Sequence, residues 1–229
     1  MHTFINGALA AAALTMGCAL AAGPIAVADA GYRSDQMAEL AEMSKRMVTD
    51  YLTQLGISGD ALPTLAFIAS GQRARSQCVD VSGDETQNDW SNDYCPTDNT
   101  VYVGQNILWD SYRQYGTAGS ISGLAHEYGH FVQSVMGVPN PRNANETIRH
   151  ENQADCFSGS FIGFLQDRGS INAPEDLGSV ERFLTATASL DAPGRDHGTA
   201  QERIDSFTLG YTGGLPPCSQ YFPATPLIR

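Results

Sequence analysis

The feature that most restricts how this chain can fold is a five-residue string, His126-Glu127-Tyr128-Gly129-His130. On an α-helix, side chains four residues apart project from the same face, so both imidazoles can reach one ion. Histidines at this spacing with an adjacent glutamate are typical of zinc sites in which the glutamate is the general base. The chain must therefore hold this string as a helix and pack it against an element that completes the ligand set.

The residues around the string predict the helix independently. Apolar side chains recur at helical spacing from Ser120 to Met136, and Gly137 and Pro139 then end the segment. Because apolar residues surround both histidines, we expect the imidazoles to lie at a buried edge. A buried imidazole needs a polar partner, and a metal ion supplies one.

A catalytic zinc site needs a third protein ligand and an open fourth position. A third histidine in the continued pattern His-x-x-Gly-x-x-His is excluded, because positions 133 and 136 are glutamine and methionine. The candidate downstream is Glu151-Asn152-Gln153-Ala154-Asp155, on a second predicted helix from Thr147 to Arg168. We expect Glu151 to bind the metal together with both histidines, and Asp155 to accept a hydrogen bond from His126 that fixes its tautomer.

These parts favour hydrolysis by a metal-activated water. Zinc lowers the pKa of a bound water and polarises a carbonyl, and Glu127 is placed to accept the water proton as catalytic base. Stabilising the oxyanion needs a further donor. His197 is the candidate, although a surface-loop histidine is an equally good interpretation, and Arg203 and Tyr211 are weaker alternatives. His150 points about 100° away from the proposed carboxylate ligand around its helix.

The first thirty residues differ from the rest of the chain. Residues 8–27 are small or apolar and carry no charge, and Ala28-Asp29-Ala30 then matches a small-x-small cleavage site. The sequence therefore predicts a secreted protein with a signal peptide over residues 1–30, one domain with the metal site over residues 31–229 and no stable membrane span after cleavage. A retained membrane anchor and a lipid on Cys18 are the alternatives.

Export would leave four cysteines, an even number that favours two disulfides in an oxidising compartment. Spacing by itself does not choose among the three possible pairings. We favour Cys78–Cys95, which closes a polar stretch, and Cys156–Cys218, which ties the C-terminal tail to the core.

The remaining segments predict one helix-rich α+β domain with a small β-sheet. Short strands are predicted over Leu65 to Ala69 and Thr100 to Val103, whereas residues 71–98 are polar and loop-like. We expect the second of these strands to accept an extended peptide along its edge. Further helices are predicted over residues 34–55, 107–115, 174–190 and 199–209.

The formal net charge of -12 restricts the class of partner. An acidic surface repels the phosphate backbone, so we expect no nucleic-acid partner. The same charge mildly favours cationic substrates.

The spaced motifs resemble those of a known group. His-Glu-x-x-His followed by Glu-x-x-x-Asp is similar to the glutamate-liganded zincins, and more narrowly to the bacterial family called putative neutral zinc metallopeptidases. The resemblance covers about residues 78–218. Its pieces are Tyr94-Cys95-Pro96-x-Asp98, Val101-Tyr102-Val103, His126-Glu127-Tyr128-Gly129-His130-x-Val132-Gln133, Gln153-Ala154-Asp155-Cys156-Phe157-x-Gly159 and His197-Gly198-Thr199-Ala200-Gln201-Glu202-Arg203.

The resemblance implies a zincin-like fold and a zinc-dependent peptidase, so residues 31–229 are expected to be a zinc metallopeptidase domain that acts on a peptide or protein substrate. Two departures, Phe131 where that family often has a second histidine and Thr199 where serine is usual, remove no proposed ligand. A catalytically silent zinc domain that binds an extracellular protein or cell-wall partner is the alternative hypothesis. A closed structural zinc site is disfavoured, because such sites have four Cys or His ligands.

Overall fold

The computed structural model describes residues 24–79, 85–189, 192 and 195–227, with only the backbone for residues 24–30 and 32. Cys18 and most of the predicted signal peptide lie outside these residues. The first described helix, α1, is Pro24–Gln54, so it includes the backbone of the predicted cleavage site. The signal peptide stays a prediction. Among the described helices, none is both long and apolar enough to cross a membrane.

The helix-rich α+β prediction is confirmed within the described ranges. The three helices that follow the His126–His130 helix have bounds within a few residues of those predicted, whereas α1 begins well before its predicted start at residue 34. The further helices are α2 Gln105–Met136, α3 Ala144–Asp167, α4 Glu175–Ala186 and α5 Ala200–Gly213. Short 3-10 turns occupy Gly59–Ala61 and Pro216–Gln220.

Helix α2 joins two helices that the sequence predicts separately. The break lies at Gly116, whose φ of 66° and ψ of -171° are not helical. A positive φ is readily accessible to glycine, so the chain can change direction there without strain. At its other end α2 stops at Gly137, whose left-handed φ of 72° caps the helix as predicted.

The strands form a three-stranded sheet and a separate two-stranded ribbon. The sheet has the order β1-β5-β4, in which β5 pairs parallel to β1 and antiparallel to β4. The ribbon pairs β2 with β3. The strands are β1 Thr64–Ile68, β2 Arg73–Arg75, β3 Thr86–Asn88, β4 Asn92–Cys95 and β5 Thr100–Gly104.

Two expectations about this sheet are wrong. The predicted loop over residues 71–98 contains β2, β3 and β4, which are short and polar and show no apolar alternation. Strand β5 is buried along its length and has a neighbour on each side, so it has no edge for a peptide. The edges of the sheet are β1 and β4, whose outer sides pair with no other strand of this sheet within the described residues.

Helices α3 and α5 pack closely enough to fix the side chains between them. A Cβ atom on Gly159 would lie 1.9 Å from the carbonyl oxygen of Phe207, and one on Gly210 would lie 1.8 Å from that of Cys156. Only a hydrogen fits at either position. This backbone contact holds the second half of α5, around Phe207 and Gly210, against the middle of α3.

The structure contains the two disulfides of the favoured pairing, Cys78–Cys95 and Cys156–Cys218. The first connects the segment after β2 to the end of β4. The second ties the C-terminal 3-10 turn to α3, and both of its cysteines are fully buried in the main core. Each bridge therefore fixes a segment that has little regular structure of its own.

Candidate metal centre

Three nitrogen and oxygen donors from α2 and α3 converge on one point. The Nε2 atoms of His126 and His130 are 3.2 Å apart. The Glu151 carboxylate lies 3.0 Å from Nε2 of His126 and 3.5 Å from Nε2 of His130. One turn of α2 supplies both imidazoles. Helix α3, which runs antiparallel to α2, supplies the carboxylate, as the sequence predicts.

The outer nitrogens of both imidazoles carry their protons. Nδ1 of His126 lies 2.8 Å from Oδ1 of Asp155, and Nδ1 of His130 lies 2.8 Å from Oε1 of Gln133. Both partners are acceptors, so each Nδ1 donates its proton. In the neutral, metal-binding form of each imidazole the lone pair is therefore on Nε2, and the two Nε2 atoms face each other and the Glu151 carboxylate.

Lone pairs that face each other over about 3 Å repel unless a positive charge lies between them. Burial by itself lowers the pKa of His126, but the Asp155 and Glu151 carboxylates outweigh it and raise that pKa to about 10. The surrounding field therefore favours positive charge at this point. Two imidazoles and one carboxylate that an ion can approach form a donor set that fits zinc.

A charged pair lies behind His126, and we call Asp155 with Arg203 the charged arm. Nε and Nη2 of Arg203 each donate to the Asp155 carboxylate at 2.8 Å. Both residues are almost completely buried. Burial raises the pKa of Asp155, but Arg203 and His126 outweigh it and hold that pKa at about 2.

The same guanidinium reaches α4 through Thr187, to which Arg203 Nη1 donates at the carbonyl oxygen and at the hydroxyl. Arg203, a weaker candidate for the oxyanion, is thus committed to Asp155 and Thr187. Tyr211 stacks against Phe207 on α5 and lines neither cavity beside the donors.

A chain of amides lies behind His130, and we call Gln133 with Gln153 the neutral arm. Gln133 Nε2 donates to the carbonyl oxygen of His150 at 2.7 Å and to Oε1 of Gln153 at 3.1 Å. Gln153 Nε2 donates to the carbonyl oxygen of Cys218 at 3.0 Å. From the sequence alone, Gln133 indicates only that this position does not supply a third histidine.

Glu127 is buried on α2 beside the donors and is held by strand β4. Asn92 Nδ2 donates to one carboxylate oxygen at 3.0 Å, and the backbone N–H of Tyr94 donates to the other at 3.1 Å. Burial raises the pKa of Glu127 to about 7, against the lowering effect of the two histidines. Asn92 was missed from the sequence, because β4 was interpreted as part of a loop.

His197 lies beside the donors at the start of α5. Its Nε2 is 3.4 Å from the Glu151 carboxylate, and its Nδ1 is 3.5 Å from that of Asp196. His126, Glu151 and His197 offer ligand atoms that all lie within 4.8 Å of one another. The half-exposed imidazole can therefore reach either a metal ion or a substrate oxygen.

Two cavities meet at Glu127. Asn92, His126, Glu127 and His197 line both of them. The first, of about 360 Å³, is mainly apolar, with walls from Ile107, Leu108, Leu124 and Phe183. The second, of about 390 Å³, is polar, with walls from Asp93, Ser134, Asn140 and His150.

His150, which the helical angle predicts to point away from the metal ligand, forms part of this second wall. Its Nε2 lies 3.1 Å from the carbonyl oxygen of Pro139, and its ring stacks on that of His130 at 6.0 Å. It therefore supports the cavity and lies behind the converging donors.

Comparison with known proteins gives several relatives of moderate sequence identity. The protein called Uncharacterized protein YpfJ from Escherichia coli K12 is 31% identical over an alignment of 150 residues, and the match covers 54% of this chain and 51% of the relative. Uncharacterized protein Rv2575 from Mycobacterium tuberculosis is 29% identical over an alignment of 163 residues, and the match covers 58% of this chain and 56% of the relative. The matched segments thus span about half the length of these curated relatives. No solved structure matches the chain.

A family model described as "Putative neutral zinc metallopeptidase" matches residues 72–222. The matched range contains β4, both arms and every converging donor described above. The chain therefore belongs to the family of Putative neutral zinc metallopeptidases.

Proposed function

We propose that the protein is a secreted zinc-dependent peptidase in which His126, His130 and Glu151 bind the metal and Glu127 is the general base. The observation that carries the proposal is the position of the Glu127 carboxylate. It lies next to three converging donors and at the junction of two cavities. A substrate carbonyl and a water molecule can reach it from either side.

The chemistry divides between the metal and the side chains. A bound zinc ion would supply a Lewis acid that polarises the scissile carbonyl and makes water more acidic. Glu127 accepts the proton of the attacking water and then delivers it to the leaving amide nitrogen. Asn92 and the Tyr94 N–H hold the carboxylate in place during both transfers. His197 donates to the developing oxyanion from the half-exposed side.

Strand β4 is the element that would align an extended substrate. Its inner edge pairs with β5, and the opposite edge faces the cavities next to Glu127. A peptide added to this edge as a further strand would run past the donors and place alternate side chains in the cavities. The edge-pairing hypothesis therefore moves from β5 to β4.

The apolar cavity favours a large hydrophobic side chain next to the scissile bond. Its volume of about 360 Å³ is sufficient for a leucine or phenylalanine side chain. Phe183 closes the cavity against α2, where a Cβ on Gly123 would meet the Phe183 ring at 2.7 Å. We expect Gly123→Ala to restrict the cavity and Phe183→Ala to enlarge it.

The extracellular space is the compartment that best fits two disulfides and the predicted signal peptide. Processing can be tested directly by determining the N-terminus of the protein recovered from the culture medium. An N-terminus at residue 31 is the expected result, whereas retention with the membrane fraction would favour an anchor or a lipid on Cys18.

The alternative function is a zinc domain that binds an extracellular protein or cell-wall partner without cleaving it. The test compares wild type with Glu127→Gln, using the exposed Glu181→Gln on α4 as a matched control. We measure bound zinc and the cleavage of a quenched-peptide library. Loss of cleavage in Glu127→Gln, with zinc retained in all three proteins, supports the peptidase. Zinc binding without any cleavage by wild type supports the binding domain.

The same library tests the cavity assignment. We expect wild type to favour large apolar residues at one position next to the cut, and Gly123→Ala to shift that preference to smaller side chains. Ser134→Ala, in the polar cavity, is the control and should leave this position unchanged. An unaltered preference in Gly123→Ala would contradict the assignment.

A further inference from the structure

A continuous chain of hydrogen bonds connects His130 to a disulfide. Nδ1 of His130 donates to Gln133, whose amide donates to Gln153, whose amide in turn donates to the Cys218 carbonyl oxygen, over distances of 2.8, 3.1 and 3.0 Å. Cys218 is bonded to Cys156 on α3. The chain crosses from α2 through α3 to the C-terminal 3-10 turn.

This chain of hydrogen bonds runs in one fixed direction, which is set by the two glutamine amides. Both hydrogens of Gln133 Nε2 have acceptors, namely the carbonyl oxygen of His150 and Oε1 of Gln153. The amide oxygen of Gln133 must therefore face His130, because reversing the amide would oppose acceptor to acceptor and donor to donor. That oxygen requires a proton on Nδ1 and leaves the lone pair on Nε2, where the other donors converge.

Burial makes this direction costly to change. Gln133 is 1% exposed and Gln153 is 0% exposed, so water cannot replace a lost partner without entering the core. The disulfide supports the far end. It holds the segment around Cys218 against the same helix that carries Gln153 and Glu151. The carbonyl that accepts from Gln153 is thereby fixed relative to the metal-binding face of α3.

We propose that Gln133 and Gln153 are positioning residues that hold His130 in its metal-binding tautomer, and that the Cys156–Cys218 disulfide fixes the outer end of this chain. The inference rests on the proposed function, because it takes His130 as a metal ligand. Disruption of any link weakens zinc binding, and the effect decreases with distance from His130. Gln133 keeps its bond to the His150 carbonyl when Gln153 is replaced, so the outer link has the smaller effect.

The first measurement is zinc affinity, determined by competition with a chromophoric chelator. We expect Gln133→Met, which keeps the side-chain length but removes the acceptor, to weaken binding by about tenfold or more. Gln153→Met should weaken it by a smaller factor. Gln201→Met, at an exposed glutamine on α5, is the matched control and should bind zinc as wild type does.

The second measurement reports the tautomer of His130 without metal. Long-range ¹H–¹⁵N spectra of the zinc-free protein distinguish a protonated Nδ1 from a protonated Nε2. We expect the Nδ1–H form in wild type and a mixture in Gln133→Met. Gln133→Glu restores an acceptor at the same position and should restore the Nδ1–H form. A purely structural role for Gln133 would not produce this rescue.

The third measurement tests whether the disulfide acts on zinc binding through this chain of hydrogen bonds. The double variant Cys156→Ala/Cys218→Ala should lose zinc affinity in the wild-type background and lose less in the Gln153→Met background. Equal losses in both backgrounds would remove the disulfide from the proposal. The glutamine variants decide the rest of the inference if the cysteine variant does not fold.

The outcomes separate this inference from the proposed function. Absence of zinc binding by wild type would overturn the metal centre itself. Zinc binding by wild type, with the same affinity and the same His130 tautomer in Gln133→Met, would overturn the positioning role and leave the metal centre intact.

Discussion

The charged arm behind His126 and the neutral arm behind His130 perform the same task with different chemistry. Each accepts the Nδ1 proton of its histidine and leaves the Nε2 lone pair facing the other donors. Asp155 does so as half of a buried ion pair, whereas Gln133 does so as part of an amide chain. The two arms also attach the site to different parts of the fold, the first to α4 and α5 and the second to the C-terminal turn.

This difference limits the charge that accumulates around the donors. Asp155 and Arg203 cancel each other, and the neutral arm adds no charge. The carboxylates of Glu127 and Glu151 remain beside the imidazoles, with that of Asp93 in the wall of the polar cavity, and a divalent cation would offset part of their negative charge. A second carboxylate in place of Gln133 would add negative charge to a buried group, at a cost in desolvation.

The largest effect should follow from breaking the charged arm. We expect Asp155→Asn to reduce the free energy of unfolding by about 3 to 5 kcal/mol, because it leaves the buried Arg203 guanidinium without a counter-charge. Urea denaturation measures this loss. Asp205→Asn, at an exposed position on α5, should change stability by less than about 0.5 kcal/mol.

The double variant Asp155→Leu/Arg203→Met sharpens that result. Removing both charges leaves no unpaired ion, so most of the lost stability should return. Zinc affinity should stay low, since His126 then has no acceptor on Nδ1. Recovery of zinc affinity together with stability would show that the charged arm does not orient His126.

A smaller loss of stability is expected in the neutral arm. Gln153→Met leaves a buried carbonyl of Cys218 and a buried amide of Gln133 each without one partner, which should cost about 1 to 3 kcal/mol. The same urea titration measures this change. A loss as large as that of Asp155→Asn would remove the distinction between an ionic and a neutral arm.

Removing the cap at the start of α5 should reduce stability by a still smaller amount, although this turn of the helix carries Arg203. Thr199 and Glu202 form a capping box at this end of the helix. Thr199→Ala should cost about 1 kcal/mol in stability through the lost cap. Asn143→Ala, at the start of α3, is the comparable change on the helix that carries Gln153, and the two losses should be similar.

The smallest expected effect concerns pH. Hydrogen bonds from Arg195 lower the pKa of Glu202 to about 2, despite partial burial. A carboxyl whose pKa is lower in the folded state stabilises the fold above its ordinary pKa, and this contribution is lost as the pH falls towards 2. Glu202→Gln should therefore be less stable than wild type at pH 6, and the difference should shrink by pH 2. A constant difference across this range would contradict the assignment.

The sequence predicted the parts of α2 and α3 that carry the candidate ligands well, because their signals are local. The apolar period of α2, the spacing of His126 and His130, and the placement of Glu151 and Asp155 four residues apart all lie within single helices. The geometry matches these expectations, although metal binding by the residues stays a proposal. Helix ends differ by a few residues, since terminal turns carry weak signals.

The residues that were missed depend on contacts between distant segments. Strand β4 is short and polar, so nothing in its own sequence indicated that Asn92 and the Tyr94 N–H would hold Glu127. Gln133 did carry a signal, because a residue three positions after His130 lies on the same face of α2. That position was judged only for its capacity to bind metal, and its capacity to orient a ligand was overlooked.

The glycines between α3 and α5 have a consequence for anyone who wishes to transplant this centre into another scaffold. The pairing of Arg203 with Asp155 depends on two backbones that approach with only hydrogen atoms between them at Gly159 and Gly210. Grafting the side chains onto helices at ordinary separation would leave the guanidinium short of its carboxylate. A designer must copy the helix crossing first and choose the ligands second.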